Sequence, residues 1–116
     1  LKNDPITKHI PIILFEKNPN KDITDLIFKD LSCISLYWNS DIRILSESLK
    51  NDIAIQGNLD PKVLGKSDET IQEEVRKICS IMKGYPGFIF NLGHGITPDI
   101  EPAKVEVMIK TIREDI

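Results

Sequence analysis

Apolar positions in this chain form short unbroken runs, separated by longer stretches in which they recur every three or four residues. Ile10 to Phe15 is such a run, rich in β-branched residues, and predicts a strand buried on both faces. After "EKNPN", Asp22 can cap a helix that places Ile23, Leu26, Ile27 and Leu31 on one side. Cys33 to Trp38 ("CISLYW") predicts the next strand, and Ser40 is the expected cap of a helix carrying Ile42, Leu45 and Leu49. Ile53 to Gln56 predicts a third strand, stopped by "GNLDP". Ser67 is the expected cap of a third helix, with Asp68 and Glu69 in the first turn, where the helix dipole favours acids. Its stripe is Ile71, Val75, Ile78, Cys79 and Met82, and Gly84 offers a C-terminal cap. Phe88 to Leu92 predicts the fourth strand. Pro102 suits the first turn of a last helix, whose stripe is Val105, Met108, Ile109 and Ile112.

Four strand–helix units in succession imply a parallel sheet with right-handed crossovers. Two architectures fit that pattern: an open doubly wound sheet, or part of an eight-stranded barrel. A whole barrel takes about 250 residues, so this chain would supply nearly half of one. Its 116 residues are enough for one core, hence a single domain over residues 1–116. The sequence opens "LKNDPITKHIPIILF" without a Met, which fits an excised piece of something longer.

Composition narrows the picture only where it excludes. A hydrophobic fraction of 41% and a charged fraction of 28% are ordinary for a globular domain. The net charge of −3 argues against a general nucleic-acid binder. No apolar run approaches the ~20 residues that span a bilayer, so no membrane partner is expected. Cys33 and Cys79 lie far apart and read as two buried thiols in a reducing compartment, which makes the cytoplasm the expected location.

In a parallel α/β sheet the loops that follow the strands share one end, and ligands bind there. Those loops are "EKNPN", Asn39, "GNLDP" and "GHGITPD", so Asn58, Asp60, His94 and Asp99 are expected on a common rim. Taken alone, "GNLDP" is a tight turn and His94 a surface-loop histidine. Together at strand ends they read as a site. Backbone N–H groups around glycines can form an anion nest, and a histidine adds a donor of variable charge. That chemistry suits a carboxylate or phosphate. A single histidine with no neighbouring ligand is a poor zinc signature, so no metal is expected. No serine or cysteine stands beside His94 as a nucleophile.

"IAIQGNLDPKVL" (53–64) and "FIFNLGHGITPDIEPAKVEVMI" (88–109) closely resemble the C-terminal portion of the uroporphyrinogen decarboxylase family. "IPIILF" and the strand ending at Trp38 occupy the expected upstream positions, so the resemblance covers nearly the whole chain. It implies the last four strand–helix units of a (β/α)8 TIM barrel with parallel strands. It also implies an enzyme that removes carbon dioxide from the four acetate side chains of uroporphyrinogen III to give coproporphyrinogen III, on the route to haem. No cofactor is implied, because a protonated pyrrole serves as the electron sink. The tetrapyrrole is the implied partner, and the family generally forms homodimers.

The family's central aspartate and key arginines lie upstream of these residues, as do a tyrosine and a serine that contact substrate. No catalytic residue can therefore be placed on this chain, and the piece alone is expected to be inactive. The position that carries over is His94, expected to hydrogen-bond a substrate carboxylate, with proton donation as its alternative role. Gly57, Asn58, Asn91, Gly93 and Gly95 are weaker candidates for rim contacts or loop geometry. Two departures stand out. Leu36-Tyr37-Trp38 replaces the family's usual Leu-Asp-Trp, and Asn18-Pro19-Asn20 replaces a glycine-rich turn.

Two other readings compete. Corrinoid-linked methyltransferases of the same superfamily hold zinc with a His-x-Cys pair, but Gly95 and Ile96 follow His94 here. The third reading is a non-catalytic fragment, whose open edges and uncovered apolar interior would drive it to pair or aggregate.

Overall fold

The computed structural model describes residues 4–6, 8–17 and 31–114 of the chain. In chain order these form β1 (Ile13–Glu16), β2 (Cys33–Leu36), α1 (Ile42–Leu49), β3 (Ala54–Leu59), a 3-10 helix (Pro61–Gly65), α2 (Asp68–Ile81), β4 (Phe88–Leu92) and α3 (Pro102–Glu114). The expected helix capped by Asp22 lies outside the described residues, apart from Leu31, which is buried in the core.

All four strands are parallel and lie in sequence order, β1-β2-β3-β4. α1 and α2 pack on β3 and share one core cluster with it, and α3 packs on α2 and the 3-10 helix. Sequential order with the helices on one side is the arrangement of consecutive units in a (β/α)8 barrel. A doubly wound sheet would reverse strand order and cover both faces.

Strand alternation sends Ile34, Leu36, Ile55 and Leu59 toward the helices, where each is at most 2% exposed. They meet Ile42, Leu45 and Leu49 of α1, Ile71, Val75 and Ile78 of α2, and Val63 and Leu64 of the 3-10 helix. A fully buried Leu or Ile stabilises by roughly 1.5–3 kcal/mol. The other face carries Ile13 and Phe15 of β1, Ser35 of β2, Gln56 of β3 and Ile89 of β4. Phe15, Ser35, Gln56 and Ile89 are paired in one register row.

Several expectations are corrected. β1 is not buried on both faces: Ile13 is 53% and Phe15 44% exposed, because β1 is an edge strand with no described element over its inner face. β3 does not stop at "GNLDP" but runs through Gly57, Asn58 and Leu59, which pair with Phe90, Asn91 and Leu92. Pairing along β4 overrides the turn preference of Gly and Asn. The α1 cap is Asp41, whose carboxylate accepts from the N–H groups of Arg43 and Ile44 at 3.0 and 3.2 Å. Cys79 is only half-buried, whereas Cys33 is buried and its thiol pKa is raised by desolvation.

Other signals hold. Ser67 caps α2 by accepting from Thr70 N–H at 3.2 Å, and Pro102 opens α3. α2 ends at Ile81 and its cap is Met82 rather than the expected Gly84, which lies at φ +86 in the turn beyond it. On α3, Val105, Met108 and Ile112 are half-buried. Ile109 is exposed, and the deepest position is Thr111, whose hydroxyl donates to Val107 O at 2.8 Å. Ion pairs from Lys104 to Asp68 (2.8 Å) and Arg76 to Glu114 (3.6 Å) tie α3 to α2. Tyr85 closes the far end of the sheet by donating to Ile53 O at 2.6 Å, and burial raises its phenol pKa.

Candidate functional site

The carboxyl ends of the strands gather the residues that the sequence singled out, but they do not all face the same way. Gly93 is buried between two neighbouring strand ends. Its N–H donates to Leu59 O at 2.7 Å and its carbonyl accepts from Trp38 N–H at 3.1 Å. A Cβ at Gly93 would overlap the Trp38 backbone. Glycine is therefore required here by close approach rather than by a positive φ. With its N–H engaged by Leu59, Gly93 is not part of an anion nest.

Asn58 is 6% exposed, and its side-chain amide donates to the carbonyls of Tyr37 (3.1 Å) and Ser40 (2.7 Å). It is thus a brace beneath the rim, holding the chain as it leaves β2. Gly57 is buried beside it, and a Cβ there would meet Leu36 Cβ at 3.3 Å. Asn91 is exposed on β4 in register with Asn58. Gly95 is exposed, and a Cβ at that position would meet nothing within 4 Å. Asp60 caps the 3-10 helix by accepting from Lys62 N–H at 3.0 Å. Asp99 is exposed on the following loop. The Thr97 hydroxyl, and then its own backbone N–H, hold its carboxyl below the usual range.

His94 is exposed and stands over the strand tips. Its ring lies edge-on to Phe15 of β1, centroids 6.4 Å apart, and to Tyr37 after β2, centroids 6.0 Å apart. Phe15 and Tyr37 are themselves 6.5 Å apart, so the three rings close a triangle that joins β1, β2 and β4. Such ring contacts contribute about 0.5–1.5 kcal/mol each beyond burial and restrict the imidazole. On one side of His94 opens a pocket of about 480 Å³, lined among others by Phe15, Ser35, Asn91, Val105 and Met108. Ser35 in its lining accepts a hydrogen bond at 3.0 Å from the side chain of Gln56, its neighbour on β3.

The strand-end rule therefore brings His94, Asp60, Asn91 and Gly95 to one mouth and sets Asn58, Gly57 and Gly93 below it as supports. Phe15, Tyr37 and Ser35 belong to the same mouth and were missed. The available signal was polar residues inside apolar runs, Ser35 in "CISLYW" and Gln56 in "IAIQ", which mark the face turned away from the helices. Among the described residues no group of three His, Cys, Asp or Glu side chains could hold a metal ion. No helix among them is long and apolar enough to cross a membrane.

Comparison with known proteins agrees with this geometry. The chain is 41% identical over 104 residues to a uroporphyrinogen decarboxylase of Vesicomyosocius okutanii, covering 90% of this chain and 30% of that protein. It is 40% identical over 114 residues to the one of Chloroherpeton thalassium (94% of this chain, 32% of that protein). For Magnetococcus marinus the identity is 37% over 108 residues (93% and 30%). The chain thus spans about 30% of the length of these relatives. The family model for uroporphyrinogen decarboxylase (URO-D) matches residues 3–115. With four sequential parallel strands, helices on one face and His94 at the strand tips, the chain belongs to the uroporphyrinogen decarboxylase family.

Proposed function

We propose that these residues are the C-terminal part of a (β/α)8 uroporphyrinogen decarboxylase, residues 1–116 forming one partial domain of that barrel. The reaction removes the four acetate carboxylates of uroporphyrinogen III and yields coproporphyrinogen III. In each step a pyrrole ring is protonated, the bond to the carboxylate breaks and its electron pair flows into the ring. Carbon dioxide leaves, the exocyclic carbon gains a proton to become a methyl group, and the ring gives up the proton it took, so that one proton is consumed per carbon dioxide released. The protein must bind a polyanionic macrocycle and stabilise charge as it moves. The acid and the arginines that the resemblance implies belong to the preceding part of the barrel, so the 116 residues alone are inactive.

One observation carries the reading: an imidazole stands at the strand tips, boxed by Phe15 and Tyr37, beside a pocket that Asn91 shares. His94 donates to a substrate side-chain carboxylate, with proton donation as its second role. Asn91 and Gly95 meet the ligand at the rim, and Gly57, Asn58 and Gly93 shape the loops that carry it. The enzyme works as a homodimer in the cytoplasm, without metal or organic cofactor; the buried thiol of Cys33 suits a reducing compartment.

The test is His94→Asn in the full-length enzyme. The variant keeps its melting temperature and loses roughly 10- to 100-fold in kcat/KM for uroporphyrinogen, the scale of one hydrogen bond to a charged group. Wild-type activity in that variant would remove His94 from the site.

A further inference from the structure

His94 and Gly95 also border a second pocket, of about 330 Å³, which does not include Phe15. Tyr37, Trp38 and Pro61 are among the residues that line it. Two ammonium groups line it, Lys17 just after β1 and Lys62 in the 3-10 helix. Lys62 Nζ lies 5.8 Å from the centroid of the Trp38 ring, a cation–π contact that holds the charge at the wall. Neither lysine is paired with a carboxylate among the described residues. Asp60, the acid in the lining, already accepts from the backbone N–H of Lys62.

Two cations, neither in an ion pair among the described residues, and one engaged acid leave a positive lobe within a chain of net charge −3. Aromatic walls lower the local dielectric and strengthen attraction for an anion. The geometry points to this pocket as an anion subsite that takes one carboxylate-bearing arm of the ligand, while a neighbouring arm meets His94. The subsite rests on the tetrapyrrole reading for the identity of the ligand, but not for its preference for carboxylates. It also gives the Tyr37 departure a role. An aspartate in place of Tyr37 would put a second negative charge beside Lys62 and His94, whereas the phenol leaves the lobe positive.

Trp38 is the only tryptophan of these 116 residues, so the emission of the 116-residue chain, which is the protein titrated, reports on this pocket. Citrate, a transparent tricarboxylate, is titrated into the protein at constant ionic strength. Wild type shows a saturable change in Trp38 emission. Lys62→Met, which keeps the aliphatic stem against Trp38, and Lys17→Met each weaken citrate binding about 3- to 10-fold, the scale of one partly exposed charge contact. A citrate response no larger than that of sodium chloride, or Met variants that titrate as wild type does, would overturn the subsite. Uroporphyrin III is titrated in parallel to keep the two readings apart. Citrate binding without porphyrin binding leaves the subsite standing and removes the tetrapyrrole. Porphyrin binding that is indifferent to both lysines does the reverse.

Discussion

Gly93 and Gly95 flank the same histidine and do different work. The first is wedged against the Trp38 backbone and hydrogen-bonded on both sides, while the second borders open space. Gly93→Ala must push the loop off Trp38 and lengthen both bonds, at a cost of about 2–4 kcal/mol. Gly95→Ala stays within about 0.5 kcal/mol of wild type. Urea unfolding of the two variants checks the contrast, and equal midpoints would refute it. From the sequence the two glycines look alike, since "GHG" is symmetric. What separates them is the segment after β2, 55 residues earlier in the chain, whose Trp38 backbone lies against only one of them. Asn58 presents the same difficulty. Its position at a strand end was legible, but the direction of its amide depends on the Tyr37 and Ser40 carbonyls, which sequence spacing does not locate.

Local signals predicted the elements well where one residue decides and poorly where two compete. Ser67 and Pro102 stand alone at their helix starts and act as expected. Ser40 and Asp41 are adjacent and equally able to cap. The structure uses Asp41, because the Ser40 carbonyl is held by Asn58 and the chain turns one residue later. α1 has only eight residues, so its cap matters more than in a long helix. Asp41→Ala therefore costs about 1 kcal/mol and Ser40→Ala less than about 0.5 kcal/mol, read as shifts in unfolding midpoint. The reverse order would restore Ser40 as the cap. β3 shows the opposite limit. Gly-Asn-Leu looks like a turn in isolation, yet it is strand because β4 supplies partners for each residue. Non-local pairing is invisible to a window of a few residues.

At the scale of the whole molecule, the sheet is covered on the helix side and, among the described residues, open on the other. The open face presents Ile13, Phe15 and Ile89, each 44–53% exposed, around the polar pair Ser35 and Gln56. An apolar surface of that kind associates. Sedimentation of the 116-residue chain is expected to show concentration-dependent oligomers, and Ile89→Lys to shift them toward monomer without lowering the melting temperature. A monomer at every concentration would mean that the face is satisfied some other way. The alternation of strands and helices was readable from end to end, because buried strands and amphipathic helices differ in period. Which face of the sheet would be left open was not, since an unbroken apolar run such as "IPIILF" looks the same at an edge as in a core.

Gly93 joins the tips of β2 and β3 through its two peptide groups, with His94 as the next residue. Three loops are thereby geared to one another. Lengthening any of them by a residue would drag its neighbours along, so this corner is closed to insertion. The shape of the mouth is therefore set by which side chains stand on this backbone and not by the length of its loops.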